Sequence, residues 1–329
     1  GWYDIFQRGF LEGYERLRST GGPRARENVR LLIEGYGHGW QGEYNWGLES
    51  RTPAFYDSYR EQKWFGQWAE GEPTGVRDDA RVIYYLLGSV DQEPNSFGNE
   101  WRFAADWPLP ARETSFYFQA GGSLSRTSPT LAADPITFLY DPESPVPTNG
   151  GANILLPNGP YDQRKIEQRE DVVTFTSAPL EEPLEITGNV RVELFAASNR
   201  LDTDFTAMLT DVYPDGRSIN LADGIVRARY RNGTQSEEFL TPGEVTRFEI
   251  DLWSTAVVFN PGHRIRVSIS SSNFPRFDAN TNTGKPIHDK SAPVVAEQII
   301  HLSPESPSRL ILPVIHEGSN RVQAQFSVK

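Results

Sequence analysis

Two hydrophobic periods divide the chain. Ile5, Phe6, Phe10, Leu11, Tyr14 and Leu17 fall on one side of a 3.6-residue wheel, with Gln7, Arg8, Glu12, Glu15 and Arg16 on the other. That is the pattern of an amphipathic helix, and Gly21-Gly22-Pro23 supplies the chemistry that ends one. Val29-Arg30-Leu31-Leu32-Ile33 then reads as a short, mostly buried strand. It empties into Gly35-Tyr36-Gly37-His38-Gly39-Trp40, a glycine-rich loop. A second helical pattern around Phe55, Tyr59, Trp64, Phe65 and Trp68 closes at Gly71-Glu72-Pro73. Helix, strand, loop and helix together predict the closing portion of an α/β layered domain over residues 1–75.

From about Arg81 the period is two. Val226, Ala228 and Tyr230 alternate with Arg227, Arg229 and Arg231, and Phe248, Ile250 and Leu252 with Arg247, Glu249 and Asp251. Ile265, Val267 and Ile269 repeat the pattern, as do Val322, Ala324 and Phe326 near the C-terminus. Such alternation predicts strands with one face in a core and one in water. Pro214-Asp215-Gly216, Asn232-Gly233, Pro242-Gly243 and Pro261-Gly262 are turn signals between them. Residues 76–329 therefore read as an antiparallel all-β sandwich or jelly roll. Asp141 to Pro160, rich in Pro, Gly and Asn, reads as a long surface loop within it.

Composition narrows the chemistry. With 32 Lys and Arg against 44 Asp and Glu, the net charge is −12 and no basic block exists to grip phosphates. Nucleic acid is a poor partner for such a surface. No cysteine is present, which excludes thiolate catalysis, disulfides and Cys-based metal sites and leaves the compartment open. No apolar run is long enough for a membrane-spanning helix. The five histidines, His38, His263, His288, His301 and His316, show neither metal-ligand spacing nor an HExxH motif, so no metal and no cofactor is expected. Asp202, Asp204 and Asp211 do not fit a calcium loop, and the arginines at 227, 229 and 231 read as a solvated strand face. The tryptophans read as packing.

His38 stands apart because a glycine-rich loop after a buried strand presents it at the strand's carboxyl end, where open α/β sheets hold reacting groups. Asp4 opens the first helix. If the strand after that helix lies beside the one that should precede Gly1, the two loops leave one edge. The aspartate can then hold the imidazole Nδ1–H and free Nε2 as a general base. The plainer alternative is that Asp4 caps its helix and His38 is an ordinary loop residue. A nucleophile elbow GxSxG is missing: Gly121-Gly122-Ser123-Leu124-Ser125 and Gly216-Arg217-Ser218-Ile219-Asn220 lack the second glycine and sit among strands.

Gly1-Trp2-Tyr3-Asp4 and Gly35-Tyr36-Gly37-His38-Gly39 resemble the acid and histidine loops of the cocaine-esterase type of hydrolase (CocE/NonD), which includes X-prolyl dipeptidyl-peptidases, glutaryl-cephalosporin acylases and α-amino-acid ester hydrolases. The family usually has Gly-Pro-Trp before the histidine, where this chain has Glu34-Gly35-Tyr36-Gly37. The β-rich part carries further resemblance in Asp141-Pro142, Pro145 to Gly151, Asp202 to Phe205, Leu209 to Gly216, Gly262 to Val267 and Ser270 to Pro275. The resemblance implies a serine hydrolase made of an α/β-hydrolase domain, a helical cap and a C-terminal galactose-binding-like jelly roll, of which this chain is the C-terminal half. It implies Asp4 as triad acid and His38 as triad base, with serine, oxyanion donors and cap in an N-terminal part that acts as partner, and a small ester or amide as substrate. A remnant of the hydrolase domain would leave apolar faces for that part or a second copy to cover. The rival reading is a non-catalytic jelly-roll module that binds carbohydrate or protein, with Trp40, Tyr44, Trp46, Trp64 and Trp68 as aromatic material.

Overall fold

A computed structural model describes residues 1–39, 43–44, 46, 50, 60–78, 80–92 and 95–316. Trp40, Phe55, Tyr59 and the C-terminal alternation at Val322, Ala324 and Phe326 lie outside them. Helix α1 spans Gln7–Thr20 and stops at Gly21, where the chain turns extended. Pro23 does more than follow that stop. It occupies the first turn of a short helix α2, Pro23–Asn28, where its missing N–H costs nothing. Strand β1 is Leu31–Ile33. Helix α3, Arg60–Phe65, runs into a wider π turn, Gly66–Glu70, and ends at Gly71 in the left-handed conformation.

The apolar side of α1 is wider than the strip that the fold buries. Gln7, Leu11 and Tyr14 face inward, whereas Phe6, Phe10 and Leu17 form an adjacent stripe open to solvent, with Phe10 72% exposed.

Strands β2 (Val82–Leu86) and β3 (Glu100–Ala104) complete a three-stranded sheet. In it β1 runs parallel to β2, and β3 antiparallel to β2. This sheet joins segments on both sides of residue 75. Beyond it come β4 (Arg112–Gln119), β5 (Ser123–Ser125), β6 (Ile136–Tyr140), α4 (Arg164–Glu167) and β7 (Val173–Thr176). The long strands follow: β8 (Leu184–Ser198), β9 (Asp204–Val212), β10 (Ser218–Arg227), β11 (Thr246–Phe259), β12 (Arg264–Ser270), β13 (Ala296–Ile300) and β14 (Arg309–Val314). They pair in the order β10-β9-β12-β7-β5-β4-β14-β8-β13-β6, with β11 on β8, and almost all the pairings are antiparallel.

The result is an all-β sandwich. Phe248, Ile250 and Leu252 are buried as their alternation predicts, and so are Ile265, Val267 and Ile269. Phe205 of β9 meets Phe248 of β11 at 4.8 Å, so the inward faces of separate strands interdigitate. One hydrophobic core runs without a break from Trp2 to Val314. The main-chain bonds from Leu87 to Ala256 and from Val258 to Leu87 extend the small sheet onto β11.

One expectation fails here and another holds only in part. The alternation of 226–231 is not one strand: β10 ends at Arg227 and the chain coils into a 3₁₀ turn at Ala228–Tyr230. Arg229 is consequently buried and pairs with buried Asp202 at 2.9 Å and with Glu237 at 3.0 Å, while Arg227 pairs with Asp204 at 2.9 Å. Charges so placed must be matched, which is why the arginines are not a solvated face. The stretch 141–160 is the loop its composition predicts, but only part of it lies at the surface. Gly150 to Asn153 and Asn158 to Pro160 are buried, and Gly151 and Gly159 exchange main-chain hydrogen bonds of 2.8 and 3.0 Å. Its polar groups are met both within the loop and by Ser272, Phe274 and Asn220, so parts of it can pack under other segments and leave water.

Candidate functional site

The first residues of the chain turn against the loop that follows β1. Trp2 N donates to Glu34 O at 3.0 Å, Tyr3 N donates to Tyr36 O at 2.9 Å, and Tyr3 lies opposite Gly37 in a parallel bridge. With Tyr3 facing Gly37, the next residue on each side is Asp4 and His38, and they meet although 34 positions separate them. The Asp4 Oδ2 atom is 3.2 Å from His38 Nδ1. The other carboxylate oxygen accepts the main-chain N–H of Phe6 at 2.8 Å, ahead of α1. The N-cap of α1 is Phe6 and has no side-chain cap, so Asp4 does not cap the helix: one of its oxygens closes a local turn with Phe6 N and the other addresses the imidazole.

The pair is accessible. The His38 side chain is 47% exposed and that of Asp4 20%. Phe6 stands edge-on to the imidazole at 5.3 Å between ring centres. With Nδ1 on the carboxylate, Nε2 is the nitrogen left to exchange a proton with another group. Beneath the pair the wall is firm. Tyr3 is buried, which pushes its phenol well above the ordinary tyrosine range, and its hydroxyl donates to Asn220 O of β10 at 2.7 Å. Trp2 Nε1 donates to Tyr85 O at 2.7 Å, and the ring packs 6.0 Å from Trp107.

The remaining polar candidates are spent on structure. His263 is 7% exposed and its Nδ1 lies 2.9 Å from both oxygens of buried Asp211. Asn280 Nδ2 bridges Asp202 at 2.9 Å and Asp204 at 2.8 Å. Among the described residues no three His, Asp or Glu side chains gather as a metal ion would need. Of the aromatic set, Trp46 is buried and donates to Gly88 O at 2.9 Å, so it offers nothing to a sugar. Trp64 and Trp68 pack on each other at 5.8 Å, with Arg77 over Trp68. One contact that sequence reasoning missed is Asn158, whose side chain reaches the main chain of His38. Pro157-Asn158-Gly159-Pro160 reads only as turn chemistry, and no local pattern reports a partner 120 positions away.

A β-sandwich that packs onto a small mixed sheet with an accessible Asp–His pair at its edge has well-defined relatives. Residues 74–311 match the X-Pro dipeptidyl-peptidase C-terminal non-catalytic domain. Asp4 and His38 lie outside that match. Cocaine esterase of Rhodococcus sp. (strain MB1 Bresler) is 38% identical over 334 residues, covering 96% of this chain and 55% of the esterase. Among solved structures, an aminopeptidase from the marine sediment archaeon Thaumarchaeota archaeon aligns with a TM-score of 0.78 at 26% identity, over 95% of this chain and 54% of that one. An α-amino acid ester hydrolase aligns at 0.77 and 28%, over 93% and 53%. The chain belongs to the CocE/NonD family and corresponds to its C-terminal half. It spans about half the length of the curated relatives it matches.

Proposed function

We propose that this chain supplies the acid and the base of a serine ester or amide hydrolase. Residues 1–75 are then the closing part of an α/β-hydrolase domain and residues 76–329 its jelly roll, with β2 and β3 of the latter completing the sheet that β1 begins. The observation that carries this reading is the 3.2 Å approach of Asp4 Oδ2 to His38 Nδ1 on adjacent loops of one sheet edge. That the relatives are hydrolases, a cocaine esterase and an ester hydrolase among them, supports the same reaction class.

In the mechanism, a serine hydroxyl provided by the N-terminal hydrolase part attacks the substrate carbonyl. His38 Nε2 takes the hydroxyl proton as the Oγ–C bond forms, and delivers it to the leaving group as the scissile bond breaks. Asp4 holds Nδ1–H, which keeps Nε2 unprotonated beforehand and steadies the imidazolium afterwards. Water repeats the cycle on the acyl-enzyme. The hydrolase part also covers the open stripe of Phe6, Phe10 and Leu17, which water does not favour.

The test is Asp4→Asn in the protein that carries the nucleophile. Turnover of a small ester should fall by about 10⁴ with the fold retained, the loss that the same exchange brings in serine proteases. Unchanged kcat would remove Asp4 from the machinery.

A further inference from the structure

Among the described residues, the main chain that carries His38 is held locally only by isolated bridges at Gly37, to Tyr3 and to Gly39. Gly37 precedes the histidine and Gly39 follows it at a φ of +94°, so neither neighbour has a side chain to pack. Asp4 grips one ring nitrogen, but a ring held at one atom swings whenever its backbone moves. The pairing with Tyr3 restrains one side of the loop. The other restraint comes from the β-sandwich.

Asn158 is 3% exposed, and its Nδ2 donates to His38 O at 3.3 Å and to Asn153 O at 3.3 Å. Two carbonyl oxygens converge on that atom, so it must be the amide nitrogen, and the side chain's orientation follows from its acceptors. The same amide presses on the loop from below: a Cβ added to Gly37 would come within 3.0 Å of Asn158 Oδ1 and 3.0 Å of Tyr3 O. Asn158 is itself rooted. Asn153 donates to Gly150 O at 2.6 Å, and the side chain of Asn220, on β10, holds Gly159 O at 3.3 Å and Tyr161 N at 2.6 Å. Asn220 O also receives the Tyr3 hydroxyl. One strand of the sandwich therefore braces both loops that carry the pair.

We propose that Asn158 is a positioning residue for the His38 imidazole, so that a segment within the matched non-catalytic domain sets the geometry of the base. The inference rests on the Asp4–His38 reading. By fixing His38 O, Asn158 keeps the ring where Nδ1 meets the carboxylate, and misplacement of a reacting group by about 1 Å can cost about 10²-fold in rate.

The test uses this whole chain and needs no nucleophile: ¹⁵N NMR of the histidine rings reads which nitrogen of neutral His38 carries the proton. The unaltered chain should show Nδ1–H. Asn158→Ala should lose most of that preference. Asn158→Asp should lose it more fully, because a carboxylate would face two carbonyl oxygens. Asp4→Asn is measured beside them. A preference that survives Asp4→Asn sinks the pair itself and this proposal with it. A preference lost in Asp4→Asn but kept in both Asn158 variants, with only their melting temperatures lowered, overturns the positioning role alone. Should these two variants not fold, Asn158→Ser keeps a small polar group at the buried position but is too short to hold both carbonyls. Partial loss of the Nδ1–H signature supports the proposal, and a wild-type signature overturns it.

Discussion

His38 and His263 each hold an aspartate by Nδ1, in opposite surroundings. The inner pair, His263 with Asp211, is locked within the sandwich with Tyr213 4.3 Å away, ring to ring. The outer pair, His38 with Asp4, lies at a sheet edge with its imidazole open. The inner contact is the tighter one: His263 borders a cavity of about 360 Å³ lined also by Asp91, Tyr213 and Arg217, but the residue is only 7% exposed and its Nδ1 meets both oxygens of Asp211. Tightness serves the fold, whereas proton transfer needs a nitrogen that something else can reach. The regions around the pairs differ in the same sense. The sandwich buries both partners of its deepest charges, while the N-terminal region leaves Phe6, Phe10 and Leu17 uncovered beside its pair.

Exchanging the acids separates the two roles. Asp4→Asn should cost about 10⁴ in kcat with little effect on stability, whereas Asp211→Asn should leave turnover of the active protein near wild type. The inner exchange should instead appear in urea unfolding, as about 3–5 kcal/mol, because it unbalances a buried pair. Equal effects of the two exchanges on rate would erase the distinction.

A core-against-stripe pair follows. Phe248→Ala should cost about 3–5 kcal/mol through the cavity it opens. Phe10→Ser should stay within about 0.5 kcal/mol, as exposed positions do. Its effect should fall on association, read by light scattering at rising concentration. A large stability loss at Phe10 would show that the stripe is packed in solution.

The smallest expected effect is acid-dependent. Asp106 fastens α1 to the sheet by accepting from Tyr14 Oη at 2.8 Å and from Arg18 Nε at 3.0 Å. Burial pushes its carboxyl up, but Arg18, Tyr14 and the Trp107 N–H outweigh burial and hold it at about 2. A folded-state value below the unfolded one of about 3.9 means the contribution is complete above that pH and drains away as pH falls towards 2. The side chain is 42% exposed, so solvent keeps the contribution below about 1 kcal/mol. Asp106→Asn should flatten the pH dependence of unfolding in that window, and an unchanged slope would assign it to other carboxylates.

Legibility followed the range of the interactions. The strands around Phe248 and Ile265 could be read directly, since alternation records burial residue by residue. The approach of Asp4 to His38 was expected from a strand ahead of Gly1, whereas here the bridge between Tyr3 and Gly37 brings the two residues together. What stayed hidden depended on distant partners. Arg229 looked solvated until Asp202, 27 positions away, was seen to neutralise it. Asn158 carried no mark of its contact with His38. The width of the buried strip on α1 was equally unreadable, since hydropathy reports what could be covered and not what is.

The parallel bridge between Tyr3 and Gly37 also separates two kinds of length. Helices α1 and α2 lie between Tyr3 of that bridge and β1, and with α1 docked through Leu11 and Tyr14, residues gained or lost at Gly21-Gly22 need only alter a turn. A slip of one residue in the bridge is different: alternate side chains on a strand point to opposite faces, so Asp4 would be turned away from the imidazole. Lineages and designers are therefore free to resize the excursion, provided that the three residues ahead of the aspartate keep their places.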